Sequence, residues 1–574
     1  MKNIFIRSFA ILAAVIVAAG CIKETFPKGS TLTSGQIESS DNALAYMVNG
    51  IPAAMMTSGT VGYANQYGFH GDFGIGAIHM MTESMLEDLV ILGETGYYWF
   101  GAWLQNLAQG ADYIYCAYFW DAYYGWIKLA NDIILKAGEV TEETHPDVLK
   151  SLGQAYAYRA MFYLDLARLF EPKENAIIDI PEAIAGLTVP IVTEKTTEEE
   201  AKYNPRATRE DMYDFIISDL ETAEEYFKRA EYTDNTYTAP SLAAVYGLLA
   251  RTYIEIAATY DDDDDYATAA DYARLAIQTS GKTPLTESQW HDPNTGFNSG
   301  SSNNSWIWGL TLSSENASNI ITRVAHLAPE ATWGYSTLSY PGVNKALYDQ
   351  ISNEDFRKKS WLDPDRTWDP TSPKYLADNG YQFSGKDDQM TGFEQYGISN
   401  AFDYFLNGAP SYTNIKFRPA VGECVDYTSG NCADLLLMRV EEMYFIEMEA
   451  VLHESGLSAA QKLLNDFMQK YRYESYNCSK NTATEEAFIK EMMLQKRIEF
   501  WGEGILMYDY KRLDQGITRG YAGTNMPGVA RFNCTGRSPQ WNIVITRGEY
   551  QSNTGITPEL NNPDPTEKMV LWTE

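Results

Sequence analysis

The sequence predicts a mainly α-helical protein, a tetratricopeptide-like scaffold of helical hairpins that carries a loop-rich face with short strands. Three observations lead there. Apolar residues recur at helical spacing in both the first half and the last third of the chain. Residues 280–430 between them are rich in Gly, Ser, Asn, Pro and Trp. Within that stretch the apolar runs are short, as in Ser305-Trp306-Ile307-Trp308-Gly309 and Tyr412-Thr413-Asn414-Ile415-Lys416-Phe417.

The elements follow in order. Leu152, Tyr156, Ala160, Tyr163, Ala167 and Phe170 fall at steps of four and three and mark one face of a long helix. Thr208, with Asp211 three residues on, resembles a capping box ahead of a second stripe, Met212, Ile216, Leu220, Ala223 and Phe227. A third helix is expected over 241–257, rich in Ala and Leu. The acidic run Asp261 to Asp265 reads as a solvated turn before a helix at 266–277; it lacks the glycine and final glutamate of an EF-hand loop. Helices return at 435–453, along Ala460, Leu464, Phe467 and Tyr471, and at 485–502. Paired helices of this size suit tetratricopeptide-like hairpins, and their split between the two ends of the chain predicts one scaffold built from both. The expected organisation is a signal peptide at 1–20, an N-terminal helical region at 21–280, and a C-terminal region at 281–574 with a loop-rich insertion and the returning scaffold helices.

The start of the chain reads as an export signal: Lys2 and Arg7, an apolar run from Ile11 to Ala19, then Gly20-Cys21. Val17-Ala18-Ala19-Gly20-Cys21 resembles a bacterial lipobox, which makes Cys21 the expected lipidation site. The apolar run is short for a membrane span. Net charge is −33, and such a surface repels phosphate backbones, so nucleic acid is not an expected partner. The same charge opposes adsorption to an anionic leaflet through a basic patch, which leaves a covalent lipid as the means of attachment. Among the remaining cysteines, Cys424 and Cys432 flank a turn-like stretch and are the candidate disulfide. No pair of Cys-x-x-Cys motifs offers a zinc knuckle.

Enzyme classes find little support. No two of the six histidines stand at the four-residue step of His-Glu-x-x-His. Gly74 and Gly76 are followed by His79 where a phosphate-cradling loop needs glycine. Gly-x-Ser-x-Gly is missing, and no repeated strand-helix units set acids at strand ends as a glycosidase barrel would. The chain is therefore read as a non-enzyme without metal or cofactor; structural calcium has no motif to support it.

At this level of detail the chain resembles the SusD/RagB-like outer-membrane nutrient-binding lipoproteins of Bacteroidetes. The resemblance rests on an ordered series: Tyr158-Arg159-Ala160-Met161-Phe162-Tyr163-Leu164-Asp165-Leu166, Val189-Pro190-Ile191-Val192, Arg206-Ala207-Thr208, Tyr213 to Leu220, Ala243 to Tyr253, Leu437-Met438-Arg439-Val440-Glu441-Glu442, and Lys496-Arg497-Ile498-Glu499-Phe500-Trp501-Gly502-Glu503-Gly504 with Asp509 and Arg512. It departs at Leu506, where arginine is frequent, and at Glu441, where alanine is usual. The resemblance implies a lipid-anchored protein on the cell-surface side of the outer membrane. It would sit over a SusC-like TonB-dependent transporter, capture oligosaccharide and pass it on. The alternatives within that resemblance are a structural lid of the transporter, or a peptide-binding lipoprotein without glycan affinity.

A sugar ring offers an apolar C–H face to an aromatic plane and hydroxyls to Asp, Asn or Arg. The aromatic clusters in loop-like, glycine-flanked sequence are therefore the candidate ligand residues: Trp99 with Tyr98 and Trp103, Tyr67 with Asp72, Trp306 with Trp308, and Trp333 with Tyr335. Trp99, Trp333 and Tyr335 stand foremost. Trp120 and Trp126 lie in helical sequence and are expected in the core. Arg159 with Asp165, and Arg497 with Glu503, are expected as buried pairs that fix helix packing.

Overall fold

The computed structural model describes residues 42–574 apart from 60, 64, 65, 67, 315–319, 332 and 365–408. Cys21 and Tyr67 lie outside the described residues.

The scaffold is a ribbon of antiparallel helices. α1 (Ala43–Met56) and α2 (Ile75–Ser84) precede the long hairpin α3 (Ile114–Ala137) and α4 (Pro146–Phe170). α4 packs on α5 (Arg209–Arg229), α5 on α6 (Leu242–Tyr260), and α6 on α7 (Asp263–Ser280). The ribbon then skips the loop-rich segment. α7 packs directly on α8 (Val440–Ser455), which pairs with α9 (Leu457–Tyr471) and contacts α10 (Glu485–Phe500), with α11 (Leu506–Arg512) beyond. Both ends of the chain thus build one helical frame, and the architecture is mainly α with a tetratricopeptide-like arrangement.

Local chemistry sets the helix ends. Thr208 caps α5 by accepting from Asp211 N, and its hydroxyl donates to the Asp211 carboxylate. The acidic run divides differently from the solvated turn expected. Asp261 ends α6 in the left-handed region and Asp262 caps α7 by accepting from Asp264 N and Asp265 N. Asp263, Asp264 and Asp265 form the first turn of α7, where the helix dipole favours negative charge. Gly456, at φ +84°, serves as the end of α8 and the start of α9, a backbone conformation that favours glycine.

Residues 435–439, expected as the start of a helix, instead form a strand, β4 (Leu435–Arg439), paired antiparallel with β2 (Trp306–Leu310). The pairing continues into the helix: Val440 N donates to Ser305 O at 2.9 Å, and Ser305 Oγ donates to the Glu441 carboxylate at 2.5 Å. Tertiary partners override the helical pattern here. A second antiparallel pair joins β1 (Leu89–Ile91) to β3 (Pro341–Val343).

The pairs expected within single segments take other partners. Arg159 is buried, but its guanidinium grips Asp219 at 2.7 and 2.8 Å, Glu194 at 2.7 Å and Asn131 at 2.8 Å. Asp165 binds Arg168 and Tyr123. Arg497 forks onto Asp88 at 2.6 and 2.7 Å. On a helix, near neighbours on one face are three or four apart; Arg159 and Asp165 are six apart, and Glu503 lies beyond the end of the helix that carries Arg497.

Glu503 belongs to a network of buried charges in the core. The Glu499 carboxylate, fully buried on α10, accepts from Arg357 at 2.8 Å, from Arg439 at 2.7 Å, and from Arg472 at 2.6 and 2.8 Å. Glu503 accepts from Arg439 and from Lys416. Asp355 binds Arg357, and Glu441 lies 3.0 Å from Arg439. Glu441, the departure noted at this helix, supplies a carboxylate to the group. Arg357, Arg439, Arg472 and Lys416 are thus matched by Asp355, Glu441, Glu499 and Glu503. The guanidinium groups hold the Glu499 carboxyl well below its usual range despite its burial.

Glu499→Gln keeps the shape and removes the charge that three guanidinium groups share. We expect it to cost about 3–5 kcal/mol in urea unfolding at pH 7. Because the folded pKa is depressed, the contribution is complete above the ordinary carboxylate range and is lost as pH falls through the folded value. The deficit relative to the parent protein should therefore stay constant from pH 7 to 5 and shrink at more acidic pH.

Candidate functional site

The β1–β3 pair brings two of the expected aromatic segments together. The ladder runs on past its strands: Leu92, Gly93 and Glu94 N–H groups donate to Tyr340, Ser339 and Leu338 carbonyls at 3.2, 2.9 and 2.9 Å. The chain from β1 then turns through Thr95–Tyr97 to Trp99, and the chain before β3 passes through the short helix Ser336–Ser339 that follows Tyr335. Trp99 and Tyr335 meet edge to face, with ring centroids 5.8 Å apart.

His70 completes the group. Its ring lies 4.6 Å from Trp99, and its Nδ1 is hydrogen-bonded to the Tyr335 hydroxyl. All three side chains are half-buried. Beneath them is a second tier of buried rings. His326 tilts against Tyr335 at 4.8 Å and stacks on Phe73 at 4.9 Å, while Phe69 sets its edge on Trp99 at 6.5 Å. His326 donates from Nδ1 to Thr322 O at 2.7 Å, and burial lowers its pKa to about 4. It is therefore a neutral prop across physiological pH. Tyr97, in the turn that leads to Trp99, is 45% exposed.

Trp333 is half-buried on the same chain segment as Tyr335 but packs elsewhere, against Val324, Ala328, Ala420 and Ala433. The other expected ligand residues face inward. Tyr98 alternates with Trp99 along the extended chain, points the opposite way, and bonds Ser84 Oγ at 2.6 Å. Trp103 is buried against Phe119. Trp306 and Trp308 are buried on β2, the first donating to Gly296 O at 2.9 Å and the second set against Tyr158. Asp72 offers no rim to solvent. Its carboxylate accepts from Tyr63 N at 2.9 Å and Tyr118 hydroxyl at 3.3 Å, and so organises the turn that presents His70.

Sequence reasoning passed over His70, although it lies in the segment that supplied Tyr67 and Asp72. Nothing local marks it: its role comes from a hydrogen bond to a residue 265 positions away. Cys424 and Cys432 do not form the expected disulfide with each other. Cys424 Sγ faces Gly422 O and Cys432 Sγ faces Thr428 O, with the short helix Tyr427–Gly430 between them. Among the described residues no cluster of His, Cys, Asp and Glu could hold a metal ion, and no helix is long and apolar enough to cross a membrane.

Comparison with known proteins decides the family. A family model described as starch-binding and associating with the outer membrane matches residues 75–254, and the SusD family model matches residues 306–562. The chain belongs to the SusD family. A SusD-like protein of Formosa agariphila is 26% identical over 205 residues; the match covers 36% of this SusD-family chain and 35% of the relative, about a third of its length. Among solved structures, a SusD-like carbohydrate-binding protein of Bacteroides vulgatus aligns with a TM-score of 0.65 at 22% identity, over 90% of this chain and 97% of that one. Surface glycan-binding protein A of Bacteroides thetaiotaomicron, solved with laminarihexaose, aligns with a TM-score of 0.57 at 16% identity, over 91% and 99%. These likenesses show the SusD fold. The first of these family models is described as starch-binding, and the two solved proteins as carbohydrate- and glycan-binding.

The burial pattern separates two kinds of tryptophan in this SusD-family chain. Trp308→Ala should lower unfolding stability by about 3–5 kcal/mol, because it opens a cavity in a closed core. Trp99→Ala should cost well under that. Paired urea-unfolding curves check the contrast.

Proposed function

We propose that this chain is a cell-surface oligosaccharide-binding lipoprotein that delivers its cargo to a TonB-dependent outer-membrane transporter of the SusC kind. The observation that carries the reading is the half-buried group Trp99, His70 and Tyr335, fixed from below by Phe69, His326 and Phe73. Flat rings held in place lose little freedom when a ligand lands on them, and their faces suit the C–H surface of a pyranose. Trp333 stays in the proposal as a separate candidate contact, since it packs against Val324, Ala328, Ala420 and Ala433. The family's carbohydrate-binding character and a glycan complex of a similar fold support the choice of ligand class. The acidic composition favours neutral over anionic glycans.

Attachment through Cys21 and the surface-facing position belong to this proposal as well. The lipobox-like Val17 to Cys21 and the family's outer-membrane association support them. A lid that only closes the transporter, or a peptide carrier, would leave the aromatic group without a sugar to hold.

Calorimetric titration of the chain truncated before residue 22 against neutral, acidic and host-derived oligosaccharides, with a peptide pool alongside, tests the ligand. We expect binding to a neutral glycan that Trp99→Ala weakens by about tenfold or more, that is, about 1.4 kcal/mol, with the fold intact. Silence from folded protein, or binding to peptide alone, overturns the glycan reading. Metabolic labelling with an alkyne fatty acid tests the anchor: Cys21→Ala should abolish label and membrane retention, and retained label would refute lipidation there.

A further inference from the structure

Apart from the Trp99 group, the structure holds a large open cleft of about 880 Å³, within the range typical of ligand pockets. Its walls are Tyr63 with the outer side of α3, residues 190–204, and residues 546–553. Hydrogen bonds tie the walls to one another. Tyr124 hydroxyl donates to Pro190 O at 2.6 Å and Asn131 Nδ2 to Val192 O at 3.0 Å. Asn553 Nδ2 donates to Asn204 O at 2.6 Å while Asn204 N donates back to Asn553 Oδ1 at 2.9 Å. Thr554 N donates to Lys202 O at 2.8 Å. A cleft braced this way needs no closure to exist.

Three carboxylates line it, Asp121, Glu198 and Glu549, and the first and last are held by neutral donors. Asp121 accepts from the Tyr63 hydroxyl at 2.5 Å. Glu549 accepts from Trp120 Nε1 at 3.2 Å and from Asn553 Nδ2 at 2.8 Å. The nearby cations are committed elsewhere, Lys202 to Glu199 and Arg547 to Asp112, and among the described residues neither Asp121 nor Glu549 sits in an ion pair. A carboxylate has about four lone-pair sites, so each keeps accepting capacity in a fixed orientation. Tyr63 and Tyr124 are half-buried and give the cleft its aromatic surface; Trp120 lies beneath Tyr124, with ring centroids 4.7 Å apart.

We propose that this cleft is a second oligosaccharide subsite, which takes a neutral glycan whose hydroxyls donate to Asp121 and Glu549 and whose ring faces lie on Tyr63 and Tyr124. The inference rests on the glycan reading of the chain and extends it to a second place. Sugar hydroxyls satisfy the two acceptors without adding charge, and Glu198 on the same rim excludes anionic sugars. A protein partner fits less well, because charged side chains are depleted at the centres of protein interfaces. The two sites are also neighbours. Tyr63 and His70 belong to one segment, with the Tyr63 ring 6.1 Å from Tyr118, Tyr118 6.2 Å from Phe69, and Phe69 6.5 Å from Trp99. A glycan chain longer than the Trp99 group can hold thus has a second surface close by.

The test is calorimetric titration of the soluble chain with maltohexaose, laminarihexaose, xylohexaose and mannohexaose, and with the matching disaccharides. The variants are Asp121→Asn with Glu549→Gln together, Tyr63→Ala, and Trp99→Ala, each checked for an unchanged thermal midpoint. Should the double variant fail to fold, Tyr63→Ala carries the comparison. We expect the double variant to weaken hexaose binding by about tenfold while disaccharide binding holds. We also expect the residual hexaose binding of Trp99→Ala to vanish when the cleft substitutions are added. Hexaose binding that the cleft variants leave untouched and Trp99→Ala abolishes overturns this subsite and spares the first site. Silence of the parent protein across the panel overturns both. Loss of transporter association in the cleft variants, with glycan binding intact, gives the cleft to a protein partner and likewise refutes the subsite.

Discussion

The structure depends on one buried carboxylate. Glu499 collects Arg357 from the loop-rich segment, Arg439 from the end of β4 and Arg472 from the end of α9. These residues lie far apart in sequence, and no apolar contact could fix their relative positions so narrowly. Taking charges out of water is costly, and the arrangement survives because cations and carboxylates balance and nearly every donor finds an acceptor. Lys416 shows the same economy. Its ammonium is buried between Glu503 and the carbonyls of Glu499 and Trp501, each at 2.8 Å, and burial lowers its pKa to about 8. The helical frame and the loop-rich insertion are locked together at this point, so the insertion can carry a site without a core of its own.

From that lock a short path leads to the aromatic group. After α10 the chain turns through Trp501 to Gly504. Gly504 has φ +82°, and a Cβ there would overlap the side chain of His79 on α2. Its N–H donates to Glu83 at 2.9 Å and its carbonyl accepts from Thr82 at 3.0 Å. The Arg323 guanidinium reaches back to Gly502 O from the short helix that carries His326. α2 is entered through Phe73, whose ring stacks on His326, and His326 supports Tyr335. The half-buried rings thus stand on elements that are themselves held by the core, which is the condition for a pre-organised binding surface.

The helical frame was legible because helix periodicity is a local signal: α4, α5 and α6 announce themselves by stripes and caps. β4 was not, since Leu435 to Arg439 continues smoothly into α8 and becomes a strand only through β2. Partner choice in the buried pairs was equally hidden. Arg159 and Arg497 read as buried cations, but their acceptors come from other helices and from the chain before β1. At the site, sequence marked the right textures and mixed their contents. Tyr98 and Trp99 are adjacent, yet strand-like alternation sends one inward and one outward. Trp306 and Trp308 both lie on β2, but every residue of that strand is buried. His70 and the cleft at Tyr63, Asp121 and Glu549 arise from long-range packing that leaves no local trace.

A crystal structure of the protein with a bound neutral hexaose tests the central claim most directly. The account predicts a sugar ring stacked on the open face of Trp99, with carbon contacts at about 4 Å and Tyr335 and His70 unmoved beside it. A hexaose bound elsewhere while the Trp99 face stays bare, or a Trp99 ring that must leave its place against His70 to meet the sugar, would contradict it.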